Sequence, residues 1–157
     1  MSNFKQSVAE IERVMEEARA KAAEILKQEF LNLFNVNPTL KVVVWHQYTP
    51  YVNDGDECTF SVGDVYASNY EAVNHYGEWD EDLAYDPETD ETMNEPEDLQ
   101  IDGGWGRHKN DTFEGFQELR EFMQSSLGEE VLKEIFGDHT QIRATREGFQ
   151  VDEYEHE

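Results

Sequence analysis

Apolar residues recur near the N-terminus at alternating spacings of four and three: Phe4, Val8, Ile11, Met15, Ala18, Ala22 and Ile25. On a helix of 3.6 residues per turn this spacing makes one stripe. With Ser2/Asn3 as a cap it predicts a long N-terminal helix. The stripe then slips to Leu26, Phe30, Leu33 and Phe34, and Asn35 with Asn37-Pro38 ends the helix. About three heptads also make a coiled-coil seam, in which Ala18 and Ala22 would admit a close partner helix. Two readings stand: a helix lying across its own sheet, or helix-mediated self-association giving a homodimer.

Past Pro38 the period changes. The stretch "LKVVVWHQYT" is rich in β-branched and aromatic residues and too short for a globular helix, so it predicts a strand buried on at least one face. Asn53-Asp54-Gly55-Asp56 supplies turn chemistry, and "CTFSVGDVYAS" predicts a second strand that completes an antiparallel hairpin. Regular periodicity fades from Asn69 to Asn110. An Asp111/Thr112 cap then opens a helix whose apolar face is Phe113, Phe116, Leu119, Phe122 and Met123. A shorter helix, "GEEVLKEIFG", stops at Gly137. The ending "HTQIRATREGFQVDEYEHE" alternates around Glu147-Gly148, a dipeptide suited to a tight hairpin. The order α-β-β-α-α-β-β predicts an α+β fold: a long N-terminal helix, a four-stranded antiparallel sheet of two hairpins, and two further helices on one face. At 157 residues this is one domain, 1–157, containing an acidic irregular segment at 67–112.

Charge changes that picture more than any motif. The chain carries 36 acidic against 12 basic residues, net −24. Residues 1–40 sum to −1 and residues 67–112 to −12, so the acidity is concentrated outside the first helix. Direct binding to nucleic acid or anionic membrane is excluded as an expectation, because both require neutralisation by Lys and Arg. Basic proteins remain, beside loose association of divalent cations with so many carboxylates. Between Glu78 and Asp98 lie eleven carboxylates and no Lys or Arg: Glu78, Asp80, Glu81, Asp82, Asp86, Glu88, Asp90, Glu91, Glu95, Glu97 and Asp98. The end of the chain adds Asp152, Glu153, Glu155 and Glu157. Tyr70, Tyr76, Trp79, Tyr85 and Trp105 fall in the same middle region, where a plain solvated linker would have little use for them. The expectation is an acidic surface that binds a basic partner, with DNA mimicry as its demanding form. An acidic solvated face without a partner explains the composition equally well.

Catalytic and metal signatures are sparse. No two of the histidines at 46, 75, 108, 139 and 156 stand at i+3 or i+4, and no nucleophile elbow or phosphate loop is present. From Asp86 the chain offers Asp86, Glu88, Asp90 and Glu97 at positions 1, 3, 5 and 12 of a calcium loop, but Glu91 replaces the glycine needed at position 6. No cofactor and no metal is expected. A lone cysteine, Cys58, excludes an internal disulfide and reads as a small buried hydrophobe. The charged N-terminus and the lack of long apolar runs predict a cytoplasmic protein. One polar-aromatic turn could line a pocket: His46, Tyr48, Tyr51, Asp54 and Asp56 would then serve a small enzyme or ligand-binding protein, although a structural hairpin accounts for them too.

Two stretches, "WHQYTPYVNDGDECTFSV" at 45–62 and "FGDHTQIRATREGFQVDEYEHE" at 136–157, resemble a group of small acidic proteins encoded by tailed bacteriophages. The resemblance covers about 40 residues and brings no functional residues with it. It implies a phage accessory protein acting in the bacterial host cytoplasm. By analogy, such a protein would antagonise a host nucleic-acid-binding or defence protein.

Overall fold

The structure is a computed structural model that describes residues 2–50, 59–103 and 113–154. It is a mixed α and β fold built on an antiparallel sheet, and its first element is one uninterrupted helix, α1 (Ser2–Val36). Only the last third of α1 enters the core, although Arg19 farther up the helix reaches the Glu134 carboxylate at 3.9 Å. Leu26, Phe30, Leu33 and Phe34 are buried, whereas every residue from Asn3 to Lys21 is exposed. The slip of the apolar stripe at Ile25/Leu26 thus marks where the helix leaves the core, and the expectation of a helix lying across its sheet holds for that last third alone.

The sheet has six strands instead of the expected four: β1 (Val42–Tyr48), β2 (Ser61–Val62), β3 (Tyr66–Ser68), β6 (Ile101–Gly103), β7 (Thr140–Thr145) and β8 (Gly148–Glu153). Their order is β6-β3-β1-β7-β8, with β2 pairing the far end of β1. Two features account for the difference. The second strand is broken at Gly63–Val65, because Val62 and Val65 both enter the helix-side core and a spacing of three cannot be met by a regular strand. Gly63 donates its N–H to the His46 carbonyl at 2.8 Å, so close to the His46 ring that a Cβ would lie 2.6 Å from Nε2. The other addition, β6, comes from the segment read as irregular and pairs Ala67 with Asp102.

Central strand β1 is covered on both faces, which is why it reads as a continuous apolar run. Val43 and Trp45 enter the main core with the helices, while Val42 and Val44 enter a smaller cluster with Val73, Tyr66, Leu99 and Ile101. Phe30, Trp45, Phe136 and Phe149 interlock edge to face and stacked, at centroid separations of 5.1–5.9 Å. Gln47, buried on the helix side, accepts from Trp45 Nε1 at 3.0 Å and donates to the carbonyls of Leu132 and Gly137 at 2.9 and 2.7 Å. It ties the sheet to α4 (Ser126–Phe136).

Helix α3 (Phe116–Met123) begins later than its sequence promised. Asp111 and Thr112 lie outside the described residues; the residue before the helix is Gly115, whose φ is 85° and which makes no side-chain cap. Asn37 holds this turn instead, donating to the Glu114 carbonyl and accepting from its N–H, each at 2.8 Å. Helix α4 starts from Ser125, whose hydroxyl accepts from Gly128 N–H at 3.1 Å. The final hairpin forms, but its two-residue turn is Arg146-Glu147 and not Glu147-Gly148, because Thr145 stands opposite Gly148, the first residue of β8.

Candidate protein-binding surface

The segment from Asn69 to Gln100 is folded, and it covers the sheet face opposite the helices. Asn74 organises its first turn: its side-chain oxygen accepts from the N–H groups of Tyr76 and Glu78 at 3.0 and 3.1 Å. Gly77 completes that turn with φ at 76° and the Tyr66 ring 2.5 Å from where a Cβ would stand. Asp80 then caps α2 (Glu81–Ala84), accepting from Asp82 N–H and Leu83 N–H. Beyond it, β4 (Tyr85–Asp86) and β5 (Glu91–Thr92) form a two-stranded hairpin separate from the main sheet. Asp90 turns that hairpin with φ at 55°, a conformation tolerated by Asp, and accepts from the Tyr85 hydroxyl at 2.7 Å. Asp86 accepts from Glu88 N–H at 2.9 Å. On the return, Tyr70 donates to the Asp98 carboxylate at 2.6 Å, and Asn69 bridges the Asp98 carbonyl and Gln100 N–H.

Residues 78–98 therefore make an acidic arm on a fixed root, standing out from the body from Glu81 onward. The sequence marked eleven carboxylates here, and the structure separates them by role. Asp80, Asp86, Asp90 and Asp98 accept the hydrogen bonds just described. Glu78, Glu81, Asp82, Glu88, Glu91, Glu95 and Glu97 are all exposed, and among the described residues none of these seven side chains takes part in a hydrogen bond or ion pair. No Lys or Arg occurs between Lys41 and Arg107 to offset them. The positions compared above with a calcium loop fall in and just beyond this hairpin, where Asp86 is paired to Glu91. No group of three or more metal-binding side chains converges among the described residues.

A residue not singled out in the sequence holds the root of this arm. Arg143, on β7, donates to the carbonyls of Glu71 and Val73 at 2.6 Å each. Burial lowers its pKa from the ordinary guanidinium value, opposed by the charges of Glu71, Asp80 and Asp152. Arg146 does the same for α1, donating to the carbonyls of Phe34, Asn37, Pro38 and Leu40 and lying 5.3 Å over the Phe34 ring. The one available signal was compositional: two arginines three apart in an otherwise acidic ending.

The proposed hairpin pocket fares differently. Tyr51, Asp54 and Asp56 lie outside the described residues, as do Glu155 and Glu157. His46 and Tyr48 are brought together with three partners that spacing did not reveal, His75, Tyr76 and Tyr154. His46 stacks on Tyr154 at 4.5 Å and meets His75 edge-on at 5.5 Å; the Tyr76 and Tyr154 hydroxyls are 3.4 Å apart. Burial, with smaller effects from His46 and Arg143, lowers His75 to a pKa of about 4. His75 is thus neutral near pH 7 and poorly poised as a general base. Burial and the Tyr76 hydroxyl push Tyr154 upward. The adjoining cavity, about 210 Å³ and lined by His75, Asp80, Arg143 and Asp152 among others, falls below the roughly 300–1,000 Å³ usual for small-molecule sites. Neither His46 nor Tyr48 lines it. No helix among the described residues is long and apolar enough to cross a membrane.

No protein-family model matches the chain, and comparisons with curated proteins and with solved structures find no match either.

Proposed function

We propose that the protein is a non-enzymatic binding module whose acidic arm, residues 78–98, engages a basic surface on another protein. The observation that carries this reading is a folded, clamped arm bearing seven exposed carboxylates that make no hydrogen bond or ion pair among the described residues. Like charges so placed repel one another and weaken the compact state. A Lys/Arg-rich partner would reverse that cost and be steered into contact by the summed field. Tyr85 and Trp79, at the root and along the arm, add the aromatic surface that anchors many interfaces.

A host protein that handles nucleic acid suits such an arm, because its phosphate-binding face already presents Lys and Arg. With the resemblance to phage proteins, the reading becomes an accessory protein that occupies such a face, as a host defence inhibitor or a DNA mimic. Mimicry in the strict sense demands carboxylates following the phosphate repeat of about one charge per 1.7 Å of duplex axis. Competition tests this: a captured partner should release labelled duplex DNA when the wild-type protein is added, and keep it when a variant carrying Glu81→Lys, Asp82→Lys, Glu88→Lys and Glu91→Lys is added. A partner that keeps its DNA in both cases would remove mimicry from the account.

A further inference from the structure

The exposed part of α1 carries an apolar stripe that none of the described residues covers. Phe4, Ile11, Met15 and Ile25 are each more than half exposed. The stripe runs directly into an apolar groove of about 540 Å³ between α1 and α3, with Ala22, Ile25, Leu119 and Phe122 in its walls. We propose that the occupant is the α1 stripe of a second copy, packed antiparallel, with the partner's Phe4 at the mouth of this groove.

Three observations select that occupant and that direction. The first is size. Aligned antiparallel about Met15, the stripe sets Ile11 against Ala18, Val8 against Ala22, and Phe4 against Ile25. Ile11 and Val8 then each meet an alanine, as interdigitating layers require, while Met15 meets its own copy and Phe4 closes the pair over Ile25. A parallel pair would instead stack Ala18 on Ala18 and Ala22 on Ala22, leaving voids, while crowding Phe4 on Phe4 and Ile11 on Ile11. The second is charge. Residues 1–40 sum to −1 and the remainder to −23. Two bodies side by side would repel strongly, whereas antiparallel helices hold them at opposite ends. From Phe4 to Ile25 the helix rises roughly 32 Å, several times the Debye length of about 8 Å at physiological ionic strength. The third is sequence phase. The 4-3 repeat is kept without a break through Ile25 and slips only where the helix turns to its own core, so the exposed part keeps the spacing of a coiled-coil seam. Arg13 is meanwhile paired with Glu10 and Glu17, and Arg19 with Glu16, along the same helix, which keeps local charge balanced beside the seam.

The dimer would carry one acidic arm at each end. This inference does not depend on what the arms bind.

Sedimentation of the full chain at micromolar concentration should give twice the 18.3 kDa mass of one copy. Ile11→Glu with Met15→Glu, both at exposed positions outside the core, should give a monomer that still unfolds in one cooperative transition, its melting temperature lowered only by the association it has lost. Direction is read separately by photo-crosslinking from a benzoylphenylalanine in place of Val8, mapped by mass spectrometry. Links to residues 18–25 of the second copy support the antiparallel pair. A monomeric wild type, a dimer that survives the double substitution, or links centred on residues 4–11 would each overturn it.

Discussion

Two parts of this molecule stand clear of the core, and they are opposites in chemistry. The first two-thirds of α1 is nearly neutral in charge and carries an uninterrupted apolar stripe. The arm at 78–98 carries no basic residue and exposes most of its eleven carboxylates, with Leu83, Tyr85 and Met93 exposed among them. Both are rooted by an arginine from the last hairpin, Arg146 for α1 and Arg143 for the arm, through backbone carbonyls. Carbonyl acceptors make these clamps independent of the side chains they hold, so the arm keeps its carboxylates available. The stripe fits a hydrophobic partner and the arm an electrostatic one.

The difference yields a ranked set of expectations. Reversing Glu81, Asp82, Glu88 and Glu91 to Lys should weaken partner binding at least a hundredfold, about 3 kcal/mol. Self-association through α1 should be unchanged, as sedimentation would show. Arg146→Met removes charge-assisted bonds to four carbonyls at the end of α1 and should lower global stability by about 3 kcal/mol, measured by urea unfolding. Arg143→Met should cost about 2 kcal/mol, with its signature in faster proteolysis within the arm. Equal proteolysis of arm and α1 in both arginine variants would break the idea of two separate clamps.

A smaller effect concerns pH. Because His75 is held near pKa 4 in the fold and is near 6.5 when free, the unfolded chain binds more protons between those values. Stability should therefore fall as pH is lowered from about 6.5 to about 4, with no further loss from this group below that. Acidification also relieves carboxylate repulsion, which acts the opposite way. The clean readout is the difference between wild type and His75→Phe, whose melting temperatures should diverge in that window alone. Smallest of all, Tyr85→Phe removes one exposed bond to Asp90 and should change stability by at most about 0.5 kcal/mol, without altering partner affinity.

Much of this arrangement was readable before any coordinates. The helix stripe, its slip at Ile25/Leu26 and the buried β1 run are local patterns, and each formed where its period placed it; the last hairpin formed too, with its turn one residue earlier than Glu147-Gly148. What escaped was set by contacts distant in sequence. The break at Gly63–Val65 follows from both Val62 and Val65 entering the helix-side core, and the start of α3 depends on Asn37, 77 residues from Glu114. The histidine and tyrosine cluster unites residues 46, 75 and 154, which share no spacing. In the candidate site, composition located the acidic run. It could not separate the four carboxylates used in turns and anchors from the seven that make no hydrogen bond or ion pair among the described residues, because that division comes from the local geometry.

The central claim is that the arm, and not the helix, recognises the basic partner. The most direct measurement is a pull-down from nuclease-treated bacterial lysate with three baits side by side: wild type, the Lys-reversed arm, and Ile11→Glu with Met15→Glu. Each is eluted by a salt gradient and identified by mass spectrometry. The account predicts one dominant basic protein, released by moderate salt, retained by the wild type and the helix variant and lost from the arm variant. Retention of that protein by the arm variant would contradict it.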